Sequence, residues 1–348
     1  MLTFVAQTIS LMSDKNNLAT ISERTGFSIS TVSRVLSGKA EKYRICRATI
    51  EKVTEEARRC NYRPNLLAQS LRTRQSQTIG FVVPGIDNPF FANLASVVIG
   101  ELNQRGYHTL LADSRESESE EAQALQMFRD RGVDGILCVP VAPTPELHES
   151  ISRDIPLVLI DRYFQETSLS YVCTDNYAGA FMAAQYLVDK GYKRILAIQG
   201  LPASMPNKER IRGFLDAIKD RNVESRIIGD AFSIENGNKS TLAAFAGNPG
   251  GYDAVFAFSA TILIGAISSL RKLGLTEGKD VGVISYDNNG FLDFMNPPVT
   301  RVEQPLKEIG GLAVETLFSF MDAHRAGLPN PAPVQQLIKP SLIIRESC

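Results

Sequence analysis

Five polar side chains stand where short apolar runs end or the next segment begins. Asp161 and Arg162 follow PLVLI, Arg210 opens the helical pattern after KRILAIQG, Asp287 ends VGVISYD, and Gln304 sits on the return segment. After the first such run, TIGFVVP, come Asn88, Phe90 and Phe91. Carboxylates, guanidinium groups and amides set among phenylalanines suit a sugar, because hydroxyls take bidentate partners and the C–H faces of the ring stack on aromatics. Two arginines in one site also admit an acidic ligand, a uronate or a sugar phosphate. Plainer readings stand beside this one. Asp161 can hold Arg162 in a structural pair, Phe91 can belong to the core, and Asp175-Asn176 before a helix suits an N-cap better than a ligand group. An acid/base pair can be drawn from Asp161 and Asp287, but an enzyme would leave the basic head of the chain unexplained.

That head carries a second cluster. LATISERT over 18–25 predicts a short helix, Gly26 gives the backbone freedom a sharp turn needs, and Ser28 caps a second helix through STVSRVLS. On the second helix Val32, Val35 and Leu36 fall at core spacing, whereas Ser30 and Arg34 lie four apart on the opposite side with Ile29 beside them. A third helix follows, with Ile50, Val53, Ala57 and Cys60 on one stripe. Two short helices across a glycine turn, the second slim and tipped with arginine, predict a helix-turn-helix that enters a major groove. Arg34 suits guanine O6/N7, and Ser30 and Ile29 suit base edges or a thymine methyl. Thr31, Ser33 and nearby Lys/Arg suit phosphates, which fix register without reading sequence. A three-helix bundle also carries serines and an arginine on its wet face with no ligand at all. The charge split agrees with a polyanion partner: residues 1–77 hold 13 Lys/Arg against 6 Asp/Glu, and residues 78–348 hold 24 against 32.

The elements that must position the first cluster are β-branched runs alternating with longer helical patterns. TIGFVVP, HTLLADS, DGILCVP, PLVLID, KRILAIQG, AVFAFS and VGVISYD predict strands, with helices near 90–105, 119–131, 177–190, 208–220, 261–273 and 307–325. This is the pattern of βαβ units and parallel sheets, and it runs twice, across 78–165 and 193–287, so two similar lobes are expected. Such sheets bind ligands beyond the carboxyl ends of their strands, and two facing lobes make a cleft. No G-x-G-x-x-G follows a strand, and neither a phosphate loop nor a G-x-S-x-G elbow is present, which argues against a dehydrogenase, a nucleotide hydrolase or a serine hydrolase. The five cysteines and three histidines form no metal-ligand spacing, so neither a cofactor nor a metal is expected. No apolar run approaches the roughly 18 residues a membrane span needs. The opening MLTFVAQTISLM lacks a basic n-region and a cleavage site, so residues 1–16 are read as an extension outside the fold, with Met12 an alternative start. Reduced thiols and the missing leader point to the cytoplasm and away from an exported sugar-binding protein.

TGFSISTVSRVLSG, then NYRPNLLAQSLRT, then TIGFVVPGIDNPFF resemble the LacI/GalR family of bacterial transcription regulators, and the resemblance runs from about Leu18 to Glu346. It implies an all-α helix-turn-helix head over 17–62, a hinge over 63–77, and an α/β effector domain over 78–348 with two doubly wound parallel sheets like those of periplasmic binding proteins. The first lobe is expected at about 78–173 and 303–331, the second at about 174–302 and 332–348. The hinge implies a helix capped by Asn65 that folds on DNA, with Leu71 wedged into the minor groove. The cleft positions match the contacts of ribose-type binding proteins and their repressor relatives. Where the family commonly has Asn-Asp after the AVFA strand, this chain has Ser259-Ala260, which removes a bidentate hydroxyl clamp and points away from ribose itself. The loop GKAEKYRI is longer than in the lactose repressor, and Cys46 replaces the usual serine before the third helix. The implied function is a non-enzymatic regulator, probing a near-palindromic double-stranded operator under control of a small sugar-like effector. The sequence ends within a few residues of the final strand (LIIRESC) without a leucine-heptad tail, so a homodimer is expected.

Overall fold

The computed structural model describes residues 17–62, 75–247 and 250–348, in two compact units, Met1–Ser76 and Gln77–Cys348. In the first, α1 (Leu18–Thr25), α2 (Ile29–Leu36) and α3 (Arg47–Arg59) enclose Ile21, Val32, Val35, Val53 and Ala57. Asn17 starts α1 by accepting from the Thr20 N–H, and Gly26 ends it at φ +78°, a left-handed turn that glycine adopts without strain. Ser28 caps α2 by accepting from the Thr31 N–H. Cys46 occupies the N-cap of α3 and makes no capping hydrogen bond with its side chain, as expected of a poor acceptor.

The second unit holds two six-stranded sheets. The first contains β1 (Thr78–Val83), β2 (His108–Asp113), β3 (Gly135–Cys138), β4 (Leu157–Ile160) and β5 (Ser170–Thr174) in the order β5-β4-β3-β1-β2. The second repeats that order with β6 (Arg194–Ile198), β7 (Glu224–Ile228), β8 (Ala254–Ala257), β9 (Gly282–Tyr286) and β10 (Thr300–Glu303), as β10-β9-β8-β6-β7. These strands pair in parallel throughout, and the connections between them carry α4 (Pro89–Gln104), α5 (Glu118–Asp130), α6 (Glu146–Ser152), α7 (Asn176–Asp189), α8 (Met205–Ile218), α9 (Ile234–Phe245) and α10 (Ala260–Lys272). The central strands β3, β4, β8 and β9 are buried along their whole length, which is why their sequences are apolar without alternation.

The chain passes between the sheets three times. After β5 it enters α7 of the second lobe. After β10 it returns through α11 (Leu306–Ala326), whose Ile309, Ala313, Val314 and Leu317 join the first lobe's core with Ile79 and Val158. The last passage corrects an expected boundary. β11 (Gln335–Ile338) lies within the stretch assigned to the second lobe, yet it pairs in parallel with β5 of the first sheet. Only β12 (Ser341–Ile343) reaches the second sheet, antiparallel to β10. The reason is legible in β11 itself: three of its four residues are exposed, so this polar edge strand carries no apolar pattern to declare its sheet. No helix among the described residues is long and apolar enough to cross a membrane.

Candidate functional site

On the head, burial of Val32 and Val35 turns the other side of α2 outward. Ile29 is half exposed, at 51%, and Ser30 and Arg34 are exposed with it. The Ser28 hydroxyl lies 2.9 Å from both the Ser30 and Thr31 hydroxyls, so the helix start carries a polar knot of three O–H groups. Thr31 and Ser33 are half-buried beside it. The Arg34 guanidinium sits 4.0 Å from the centroid of the Tyr43 ring, a neighbour that the sequence reading passed over. Asn65 and Leu71 lie outside the described residues. Polar hydroxyls, an apolar tip and an arginine on one slim helix face can meet base edges and phosphates.

In the body, Asp161 follows β4 and Asp287 follows β9, the corresponding strands of the two lobes. Both aspartates take left-handed backbone angles, φ +66° and +75°, which Asp tolerates better than most residues. Asn88, Phe90, Phe91, Asp161, Arg162, Arg210, Ser259, Asp287 and Gln304 all line one cavity, joined by Pro206 and Phe232. Its room for water-sized spheres is about 30 Å³, enough for two or three waters at roughly 10–15 Å³ each. A sugar ring therefore requires the lobes to part or the lining side chains to move.

Each group in this cavity has a distinct task. Asn88 caps α4, its Oδ1 accepting from the Phe90 N–H at 3.0 Å, and so sets Phe90 against Phe91 edge to face at 5.1 Å. Ser259 caps α10, its Oγ accepting from the Ile262 N–H. The Gln304 amide donates to Asp287 Oδ1 at 2.6 Å and accepts from the Thr174 hydroxyl at 2.6 Å, so a passage between lobes is tied to the cavity. Arg210 donates to Asn176 Oδ1 (2.8 Å) and the Phe258 carbonyl (2.5 Å), and its guanidinium lies 3.6 Å from the Tyr286 ring centroid. Arg162 makes a two-pronged pair with Glu116, at 2.7 and 2.5 Å. Its charge is thus met by Glu116 and not by Asp161 through hydrogen bonds. The Asp161 carboxylate accepts no hydrogen bond from the described residues. Burial pushes it up to about 6, against the pull of Arg162 and Arg210, with Asp287 and Glu116 adding to the rise. Burial also raises Asp287, opposed by Arg210, the Gln304 amide and the Ala260 N–H.

Sequence reasoning missed Glu116, Pro206 and Phe232, and set Asn176 aside as part of an N-cap. Glu116, Asn176 and Phe232 lie just past the carboxyl ends of β2, β5 and β7, and neither β5 nor β7 was read as a strand. Asp175 does cap α7, accepting from the Ala178 N–H at 2.8 Å. Asn176 instead turns inward to hold Arg210. Elsewhere, Glu121, Cys138 and His148 bring possible metal-ligating atoms within 4.8 Å of one another. The Glu121 carboxylate is already engaged there by the Val141 and Ala142 N–H groups, the Cys138 thiol and His148 Nε2 at 2.8 Å. The trio is a buried anchor for the loop after β3.

Residues 79–292 match the family model described as a periplasmic binding protein domain. The chain is 29% identical to the ribose operon repressor of Halalkalibacterium halodurans over 325 residues, covering 92% of this chain and 96% of that protein. It is 30% identical to the HTH-type transcriptional repressor PurR of Vibrio vulnificus over 305 residues, or 85% and 89% of the two chains. Among solved structures, the lac repressor dimer bound to operator and the anti-inducer ONPF superposes with a TM-score of 0.82 at 21% identity, covering 95% of this chain and 98% of that one.

Proposed function

Because this chain belongs to the LacI/GalR family of DNA-binding transcriptional regulators, and is not an enzyme, we propose that it is a homodimeric repressor whose hold on a near-palindromic operator is set by a neutral sugar bound between its lobes. The observation that carries this reading is Asp161, a buried residue whose carboxylate lies on a cavity lined also by Phe90, Phe91 and Phe232. A carboxylate on a cavity wall accepts strongly from a hydroxyl, and a sugar supplies that donor. Asp287, held by Gln304, offers a second acceptor.

Charge favours a neutral ligand over an acidic one. Glu116 neutralises Arg162, and Asp161, Asp287 and Glu116 outnumber Arg162 and Arg210. Similarity to a ribose operon repressor supports a monosaccharide, while Ser259, occupied in capping α10, offers no amide clamp and favours a sugar other than ribose. The lobes provide two states: a ligand shifts operator affinity only by its differential affinity for them. A thermal-shift screen of the full chain against neutral monosaccharides, uronates and sugar phosphates tests this. Stabilisation by a neutral sugar is expected; stabilisation by the acidic compounds alone refutes the assignment.

A further inference from the structure

We propose that Tyr43 is a specificity-determining residue, one that positions Arg34 for base reading and sits in the loop that separates α2 from α3. The inference rests on the assignment of Arg34 as a base-reading side chain. The loop is firmly built. The Lys39 N–H donates to the Arg34 carbonyl at 2.9 Å, Ala40 is buried in the head's core, and the Ile45 N–H closes onto the Ala40 carbonyl at 3.0 Å. Between these two anchors Arg44 takes φ +50° and its N–H bonds the Glu41 carbonyl at 2.9 Å. The chain therefore folds back, and the Tyr43 ring comes to lie 4.0 Å from the Arg34 guanidinium.

That contact sets the guanidinium carbon over the ring and is not a hydrogen bond to an oxygen. A cation–π contact restrains the side chain without pairing it to an oxygen acceptor, so the N–H groups that fork onto guanine O6 and N7 meet no competing carboxylate. An ion pair would do the opposite. Arg24 is bound to Glu56, Arg47 to Glu51 and Arg59 to Glu56, whereas no carboxylate of the described residues pairs with Arg34. Tyr43 is itself 46% exposed and its hydroxyl has no hydrogen-bond partner among the described residues. The ring is thus placed by the loop backbone, and its cation–π partner is Arg34. Lys39, Lys42 and Arg44 are exposed around it and suit phosphates, so the loop forms a cationic ledge with one aromatic at its centre.

Selection of preferred sites from a randomised duplex library by the full-length chain tests this, with wild type, Tyr43→Ala, Tyr43→Phe and Arg34→Ala compared. Tyr43→Ala is expected to weaken preference about two- to fivefold, the range of an exposed cation–π contact, at the same base pair whose preference Arg34→Ala abolishes. Preference elsewhere in the site and the salt dependence of affinity stay as in wild type. Tyr43→Phe retains the wild-type profile, because the ring face and not the hydroxyl acts. An unchanged Tyr43→Ala profile, a uniform loss at every position with a shallower salt slope, or tighter binding overturns the role of Tyr43 while leaving base reading by Arg34 intact. A wild-type chain that selects no site overturns the operator reading and this inference together.

Discussion

Asp161 gains more than any other cavity group from a ligand hydroxyl, since its carboxylate is buried, raised to about 6 and accepts no hydrogen bond from the described residues. A hydroxyl that donates to the carboxylate favours the ionised form and pulls its pKa down. Below pH 6, sugar binding must therefore release a proton, so affinity rises with pH up to about 6 and then levels, with a slope approaching tenfold per pH unit on the acid side. Isothermal titration between pH 5 and 8 checks the sign. Asp161→Asn is expected to flatten that profile. At the other site, Arg34→Ala is expected to cost about 1–3 kcal/mol of discrimination between operator and random duplex, read by fluorescence anisotropy; equal losses on both would assign Arg34 to phosphate. The sequence alone pointed to these side chains because charged residues at strand ends have few structural uses. It did not reveal that Arg162 is spent on Glu116, or that Asn176 holds Arg210. Those pairings join residues 46 and 34 apart, and no local pattern encodes them.

Elements read well where burial writes a pattern and poorly where it does not. The seven strands foreseen from their apolar runs include every fully buried one. Of those missed, β7, with its exposed Glu224, Ser225 and Arg226, β11 and β12 sit at sheet edges, where a polar strand looks like a loop, whereas β5 and β10 are interior strands whose short runs mix apolar and polar residues. Helix α9 was missed for another reason. Its ENGNKS opening carries poor helix formers, and Gly237 serves packing: a Cβ there would lie 2.0 Å from the Ile262 carbonyl, and one on Gly265 would lie 2.0 Å from the Ile234 carbonyl. The two glycines let α9 and α10 approach backbone to backbone. Gly265→Ala is therefore expected to destabilise the body by about 1–3 kcal/mol or more, as overpacking does, seen as a lower denaturant midpoint. An unchanged midpoint would mean the helices can separate at no cost. Cβ atoms this close to backbone leave no side chain to yield.

At the scale of the whole molecule, a basic head and an acidic body were visible in the charge split, and the repeat of one strand order in two lobes was visible as a repeated pattern. The wrong lobe for β11 shows the limit: three short passages between sheets are set by tertiary contacts, not by local composition. Phe294, on a short 3₁₀ turn (Gly290–Phe294), is 90% exposed, and Phe291 on the same turn is partly exposed. An aromatic so placed suits burial by a second copy. Phe294→Glu is expected to shift the chain toward monomer in light scattering, and an unaltered dimer would place the interface elsewhere. The central claim is that the cleft tunes the head, and titration of the library-selected operator with and without the stabilising sugar tests it most directly, for wild type and Asp287→Ala. The account predicts that the sugar changes operator affinity of wild type at least about tenfold, equivalent to about 1.4 kcal/mol of coupling, while Asp287→Ala binds operator normally and ignores the sugar. A sugar that binds wild type without altering operator affinity, or an Asp287→Ala variant that responds in full, would contradict it.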